Sequence, residues 1–176
     1  CVVLLGARGV PISPELTQVR SQPNGTSLRL TWSDEKFIRT GYRVYASTDG
    51  VTFGAPINVA SNVQSYTESG LTTGTKKYYK VTVVGTGGES KASRVYGAQA
   101  GGSARVLLVD GDDRWQFQTA ENPNCTNHAF AAIAGQSISG PVFETAHHNA
   151  VIDGTVQLTK YPATVWLLGE EGAADV

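Results

Sequence analysis

The pattern of the predicted strands changes once along this chain, and that change limits the folds open to it. Before residue 100, short runs such as 27–32 and 41–46 alternate polar and apolar residues. After residue 104, the run 105–111 has a continuously apolar centre. Alternation is typical of a strand with one face in water, whereas a continuous apolar run is typical of a strand covered on both faces. The sequence therefore predicts two kinds of sheet.

Composition excludes several classes of partner. The 176 residues carry 14 Lys and Arg against 15 Asp and Glu, a formal net charge of −1. Without a basic cluster, we expect no nucleic-acid partner, because that affinity depends on clustered Lys and Arg. No apolar run approaches the roughly 18 residues of a membrane span. With 40% hydrophobic and only 16% charged residues, the chain can build a core.

The first half predicts an immunoglobulin-like β-sandwich. Seven short strands are expected within residues 16–99, separated by turn signals such as Asn24-Gly25, a pair that tolerates positive φ. Trp32, Tyr42 and Tyr79 fall on the inward phase of their strands, so they are predicted core residues rather than a ligand platform.

Several motifs of this half resemble a fibronectin type III domain. They are Trp32, the run 41–45, the run 70–75 before Tyr78-Tyr79-Lys80-Val81, and Gly87-Gly88-Glu89-Ser90. The resemblance covers residues 12–99 and implies the sandwich of that family. One position departs from it, since Lys77 stands where the family usually has the tyrosine of its tyrosine corner. Residues 1–11 are interpreted as a tail or the end of an upstream domain.

The second half predicts a partial α/β domain. Residues 100–104 are all small and are predicted to be a linker. Within 105–176 the pattern is strand, loop, Ala-rich helix over 127–137, strand over 142–145, and buried strand over 163–169. This order predicts a right-handed, three-layer unit with parallel strands.

Polar residues follow each of these three strands, at the sheet edge where loops of parallel sheets gather ligands. Asp110, His147 and Glu170 are the main candidates for a divalent metal or an acid–base pair. Further candidates are Asp112, Asp113, His148 and Glu171. The alternative interpretation is ordinary turn chemistry, because no metal-binding spacing or dinucleotide fingerprint is present. Catalytic residues stay unassigned.

The runs 106–115, 149–154 and 165–171 resemble the start of a flavodoxin-like, glutamine-amidotransferase-like domain. Such domains follow fibronectin type III modules in secreted bacterial proteins of the N-acetylmuramoyl-L-alanine amidase and xanthan-lyase or golvesin-like kinds. The resemblance implies a secreted or cell-surface bacterial protein that works near polysaccharide or peptidoglycan. A zinc amidase domain and a G-x-C-x-G nucleophile elbow, which would supply chemistry, do not occur in the sequence.

Three functional interpretations follow. The first is a non-catalytic spacer or docking fragment of a cell-wall or polysaccharide hydrolase. The second is a hydrolase or lyase domain completed by residues beyond the fragment, and the third is a structural or adhesive surface subunit. In each case the uncharged strand at 165–168 is expected to be an open edge that pairs with further polypeptide, from the parent chain or another subunit. Two cysteines, Cys1 and Cys125, leave their pairing open.

Overall fold

The computed structural model describes residues 9–34, 39–111 and 130–168. Eleven strands, two α-helices and a 3₁₀ helix (Leu158–Lys160) are found in these ranges; the strands and α-helices are named below. In chain order they are β1 (Glu15–Ser21), β2 (Leu28–Ser33), β3 (Gly41–Ser47), β4 (Ile57–Ala60), β5 (Ser65–Glu68), β6 (Lys76–Gly85), β7 (Gly88–Glu89), β8 (Tyr96–Gln99), β9 (Val106–Asp110), α1 (Phe130–Ser137), β10 (Phe143–His147), α2 (His148–Ile152) and β11 (Ala163–Leu167).

The first eight strands form a sandwich. One sheet of the sandwich contains β1, β2 and β5. The other sheet contains β4, β3, β6 and β7, and β8 also pairs with β6. Alternating residues of both sheets meet in one core, as the sequence pattern predicts. Trp32, Tyr42 and Tyr79 all lie in this core, and the rings of Trp32 and Tyr42 meet edge to face with centroids 5.2 Å apart.

Lys77, at the position of the family's corner tyrosine, has a charged partner instead. Its Nζ lies 3.1 Å from Glu68 Oε1, while the Tyr79 hydroxyl donates to Glu68 Oε2 at 2.9 Å. One carboxylate on β5 thus binds two residues of β6. These contacts join the two sheets of the sandwich near where a tyrosine corner would act.

The three later strands extend the sandwich sheet. The order across the sheet is β11-β9-β10-β1-β2-β5, in which β9 pairs with both β10 and β11 in parallel. β10 is antiparallel to β1, with Gln18 opposite Ala146 and Val19 opposite Thr145. The predicted parallel strands are therefore present, but a separate flavodoxin-like α/β domain is not confirmed, because the strands belong to a sheet that continues into the sandwich.

Both faces of β9 and β10 are covered. β11, which the sequence predicts to be a buried strand, is mostly exposed instead, because among the described residues it pairs only with β9 and lies at the edge of the sheet. On one face of β9 and β10, Leu108 and Phe143 pack with Ala132 of α1 and with Tyr78 of β6. On the other face, Leu107, Val109 and Ala146 pack with α2 and the segment after it. The sequence pattern predicts only one helix here. α2 was not predicted, because a helix of five residues that follows β10 without a break leaves no clear periodic pattern.

Tyr78 shows how closely the two halves pack. Its position on β6 predicts an outward side chain, yet it is fully buried. Gly97 lies against its ring so closely that an added Cβ would stand 2.3 Å from Tyr78 Cδ1. Lys76, two residues earlier, donates to the carbonyls of Gly135, Gln136 and Ile138 at the end of α1. A cation at this helix end satisfies carbonyls that have no partner within the helix.

The predicted linker, residues 100–104, is packed rather than extended through solvent. Ala100 is fully buried, and the backbone N–H groups of Gly101 and Gly102 donate to Ser21 Oγ at 3.2 and 3.0 Å. A Cβ on Gly101 would stand 2.5 Å from a methyl group of Val142. The segment therefore fixes the end of β1 against the start of β9 and β10.

No helix in the described ranges is long and apolar enough to cross a bilayer.

Candidate functional site

Two of the three principal site residues lie side by side. Asp110 is the last residue of β9, His147 is the last residue of β10, and the parallel register places them opposite each other. The strand predicted over 142–145 left His147 in the following loop, whereas β10 extends through His147. Glu170 lies outside the described residues, as do Asp112, Asp113 and Glu171, and so do both cysteines.

Asp110 is held by two residues of the sandwich. Its side chain is only 4% exposed, and its Oδ2 accepts hydrogen bonds from Arg94 Nη1 at 2.7 Å and from the Tyr96 hydroxyl at 2.8 Å. Burial, together with the nearby Asp110 charge, raises the pKa of Tyr96 well above its ordinary value, so its hydroxyl stays a proton donor. A buried carboxylate needs such partners, since an unpaired charge is costly to bury.

His147 contacts the sandwich through β1. Its Nδ1 lies 2.9 Å from Glu15 Oε1 and 3.2 Å from the backbone nitrogen of Asn149. With a proton on Nδ1, His147 donates to Glu15; without one, Nδ1 accepts from the Asn149 N–H and caps α2. The hydrogen bond to His147 lowers the pKa of Glu15 below its ordinary value, even though burial acts in the opposite direction. The ring of His148 lies 4.4 Å from that of His147, centroid to centroid.

Together these side chains form a polar tie, which we define as Glu15, Arg94, Tyr96, Asp110 and His147. Glu15 belongs to β1, Tyr96 to β8, Asp110 to β9 and His147 to β10, and Arg94 lies just before β8. The tie thus joins the sandwich to the parallel strands at the carboxyl end of β9 and β10. Among the residues that the structure describes, no group of three or more His, Cys, Asp or Glu side chains is arranged to hold a metal ion.

A second polar site, which sequence analysis did not single out, surrounds Glu144 in the middle of β10. Glu144 is 5% exposed; its Oε1 accepts from the Ser21 backbone N–H at 3.0 Å, and its Oε2 accepts from the Tyr161 hydroxyl at 2.6 Å. Burial raises the pKa of Glu144 above its ordinary value, against the opposing effect of these bonds and of Arg20. A glutamate within a short apolar strand was the sequence signal for this site.

Glu144 lines a cavity of about 410 Å³, the Glu144 cavity, on the α2 side of the sheet. Its wall is mostly polar, with residues from the end of β1, the segment before β9, and the connection between α2 and β11. They are Gln18, Arg20, Ser21, Gln22, Pro23, Gly102, Ser103, Ala104, Glu144, Thr155, Val156, Gln157, Lys160 and Tyr161. β1 and β10, which pair with each other, both contribute to this wall.

The sequence matches no protein-family model and no curated protein. Solved structures that resemble it are mostly fibronectin type III domains. One is the fibronectin type III domain of human fibronectin type III domain containing protein 3, at 22% identity over 56% of this chain and 93% of that one, with a TM-score of 0.44. Another is a Fn3-like protein from Clostridium thermocellum, at 31% identity over 49% and 90% of the chains, with a TM-score of 0.40.

A β-1,2-glucanase from Parabacteroides distasonis is also similar, at 27% identity and a TM-score of 0.45. The match covers 52% of this chain but only 14% of the glucanase. Because all these TM-scores lie below 0.5, the fold is assigned from the order of the strands in the two sheets. The first part of the chain is a fibronectin type III-like sandwich.

Proposed function

We propose that this chain is a non-catalytic spacer and docking module of a secreted bacterial enzyme that acts on polysaccharide or peptidoglycan, in the manner of the amidase-like proteins that its sequence resembles. The observation that carries the proposal is the polar tie. Two of the three principal site residues are described, and both contact the sandwich: Asp110 Oδ2 accepts from Arg94 and Tyr96, and His147 Nδ1 lies against Glu15.

The continuous sheet supports the same role. A spacer must hold its two ends at a fixed distance, and a flexible linker would not do so. Here β1 pairs with β10, and Ser21 binds the two glycines of the segment that joins the halves. The sandwich and the parallel strands therefore keep a fixed relative position within the module.

The test is an activity assay of the whole chain on peptidoglycan and on soluble polysaccharides, following released amines and reducing ends. The proposal expects no turnover above buffer, with or without added Zn²⁺. Turnover that is lost in Asp110→Asn and His147→Gln, but kept in the matched control Glu68→Gln, would overturn it. That result would favour the alternative of an enzyme domain centred on the polar tie.

The exposed edge of β11 favours a second candidate function, that of a structural subunit joined edge to edge. Val165 and Trp166 are 43% and 42% exposed, and among the described residues β11 pairs only with β9. None of the five residues of β11 is charged, so a second copy could pair antiparallel to it, with Val165 opposite Val165, without charge repulsion. Light scattering of the chain across a concentration series tests this candidate: a dimer that Val165→Lys abolishes would support it, and a monomer throughout would exclude it.

A further inference from the structure

The Glu144 cavity has the size of a small-ligand site. Its volume of about 410 Å³ falls within the usual range of roughly 300–1,000 Å³ for such sites. It is lined by side-chain amides from Gln18, Gln22 and Gln157, and by hydroxyls from Ser103 and Tyr161. Arg20 and Lys160 also line it and are exposed, as are Ser103 and Gln157. Four residues of the wall are buried: Gln18 and Ser21, which are neutral and polar, Val156, which is apolar, and Glu144, which is the acidic one.

The carboxyl of Glu144 disfavours an anionic ligand. It is the buried acidic group of the wall, and its two oxygens already accept from the Ser21 N–H and the Tyr161 hydroxyl. An anion placed beside it would meet a like charge whenever Glu144 is ionised. The Tyr161 oxygen, in turn, receives a long hydrogen bond of 3.4 Å from Gln18 Nε2, a contact that a ligand hydroxyl can replace at small cost.

Gln22 supplies the observation that points to a ligand. Its Nε2 is buried and has no hydrogen-bond partner among the described residues. Buried donors are nearly always bonded, and leaving one without a partner costs free energy. Gln22 lines the cavity, and no hydrogen bond made by Nε2 would be broken if its terminal amide rotated towards it. After that rotation, a ligand oxygen would satisfy a donor that the free protein leaves unsatisfied.

We propose that the Glu144 cavity binds one or two neutral sugar units of a polysaccharide, with a ligand oxygen accepting a hydrogen bond from Gln22 Nε2. Sugar hydroxyls both donate and accept, which suits a wall of amides and hydroxyls. The proposal rests on the proposed function and deepens it, because it supplies the contact by which a non-catalytic module would dock to a glycan.

The experiment is a titration of the ¹⁵N-labelled chain with cellobiose and with N,N′-diacetylchitobiose, followed by NMR. We expect saturable shifts of the Ser21 backbone amide and the Gln22 side-chain amide, with a Kd of about 1 mM, a weak affinity suited to a few hydrogen bonds. Gln22→Met should weaken binding about tenfold, the effect of one lost hydrogen bond. The melting temperature of this variant should not fall, because the substitution removes an unsatisfied donor.

Gln99→Met is the matched control, since Gln99 lies outside the cavity and donates to the Gly74 carbonyl. It should leave the Kd unchanged. The proposal is overturned if neither disaccharide gives saturable shifts at roughly 50 mM, well above the expected Kd. It is also overturned if Gln22→Met binds as well as the wild type, or if inorganic phosphate binds at the same residues and the sugars do not. The titration measures binding, whereas the proposed spacer role is tested by the absence of turnover. A failure of the sugar site can therefore be told apart from a failure of the spacer role.

Discussion

Asp110→Asn tests whether the polar tie holds the two halves together. The substitution keeps the size of the side chain and an oxygen that can accept from the Tyr96 hydroxyl. It removes the negative charge 2.7 Å from the Arg94 guanidinium, at a place where the two side chains are only 7% and 4% exposed. Removing one partner of such a buried pair costs about 3–5 kcal/mol, because the Arg94 guanidinium loses the carboxylate that pairs with it. We expect a loss of that size in the free energy of unfolding.

Glu68→Gln is the matched control. Glu68 also accepts from a tyrosine hydroxyl and also lies beside a cation, but the side chains of the Lys77–Glu68 pair are 20% and 19% exposed. Solvent screens this pair more strongly, so its loss should cost less than about 1 kcal/mol. The two variants thus differ mainly in the burial of the charge that is removed.

Urea unfolding at neutral pH, followed by tryptophan fluorescence and circular dichroism, measures both losses. Asp110→Asn should lower the midpoint far more than Glu68→Gln, with the slope m unchanged. Equal effects within about 1 kcal/mol would refute the structural role of the tie. If Asp110→Asn were more stable than the wild type, the structural role of the tie would be refuted more strongly, because substitutions that increase stability are typical of functional sites.

Three further predictions concern other parts of the molecule. Trp32→Ala should cost roughly 3–5 kcal/mol in urea melts, because Trp32 is 3% exposed and packs on Tyr42, and a loss below about 1 kcal/mol would contradict its core position. Glu144 has a raised pKa in the folded protein, so its contribution to stability should fall as pH rises above the ordinary glutamate value of 4.5. The stability of the wild type relative to Glu144→Gln should therefore fall over that range, and parallel pH profiles would contradict the account. Millimolar Zn²⁺ or Mn²⁺ should leave the melting temperature unchanged, whereas a rise that His147→Gln abolishes would restore the metal site.

The sandwich was largely predictable because its signals are local. Alternation within 27–32 and 41–46 corresponds to β2 and β3, and the Asn24-Gly25 turn has Gly25 at a φ of +71°. Period and turn chemistry are properties of neighbouring residues, so a single sequence carries them. β9 and β11 were likewise visible as apolar runs.

The junction of the two halves was not predictable, because it depends on contacts between distant residues. The pairing of Val19 with Thr145 and the bond from Ser21 to Glu144 each span more than a hundred positions. Nothing in the local pattern of β1 or β10 specifies that edge. The same reason explains Tyr78, whose outward position on β6 is buried only because α1 and Phe143 cover it.

The partners of the candidate site residues were not predictable for a related reason. Asp110 and His147 lie opposite each other at the ends of β9 and β10, but their hydrogen-bond partners Arg94, Tyr96 and Glu15 come from the sandwich. Only the tertiary pairing shows that these polar groups are used within the protein. Glu144 and Tyr161, which face the cavity, likewise meet through the packing of the α2–β11 connection against β10.

Native-state hydrogen exchange most directly tests the central claim, that the sandwich and the parallel strands form one continuous sheet. Amides of β1 and β10 should exchange with the same large opening free energy as those of β2 and β6, because the pair lies inside the sheet. Low concentrations of urea should not separate them. If β9, β10 and β11 instead exchanged together through a much smaller opening free energy, while β1 kept its protection, the halves would be independent units and the account would be contradicted.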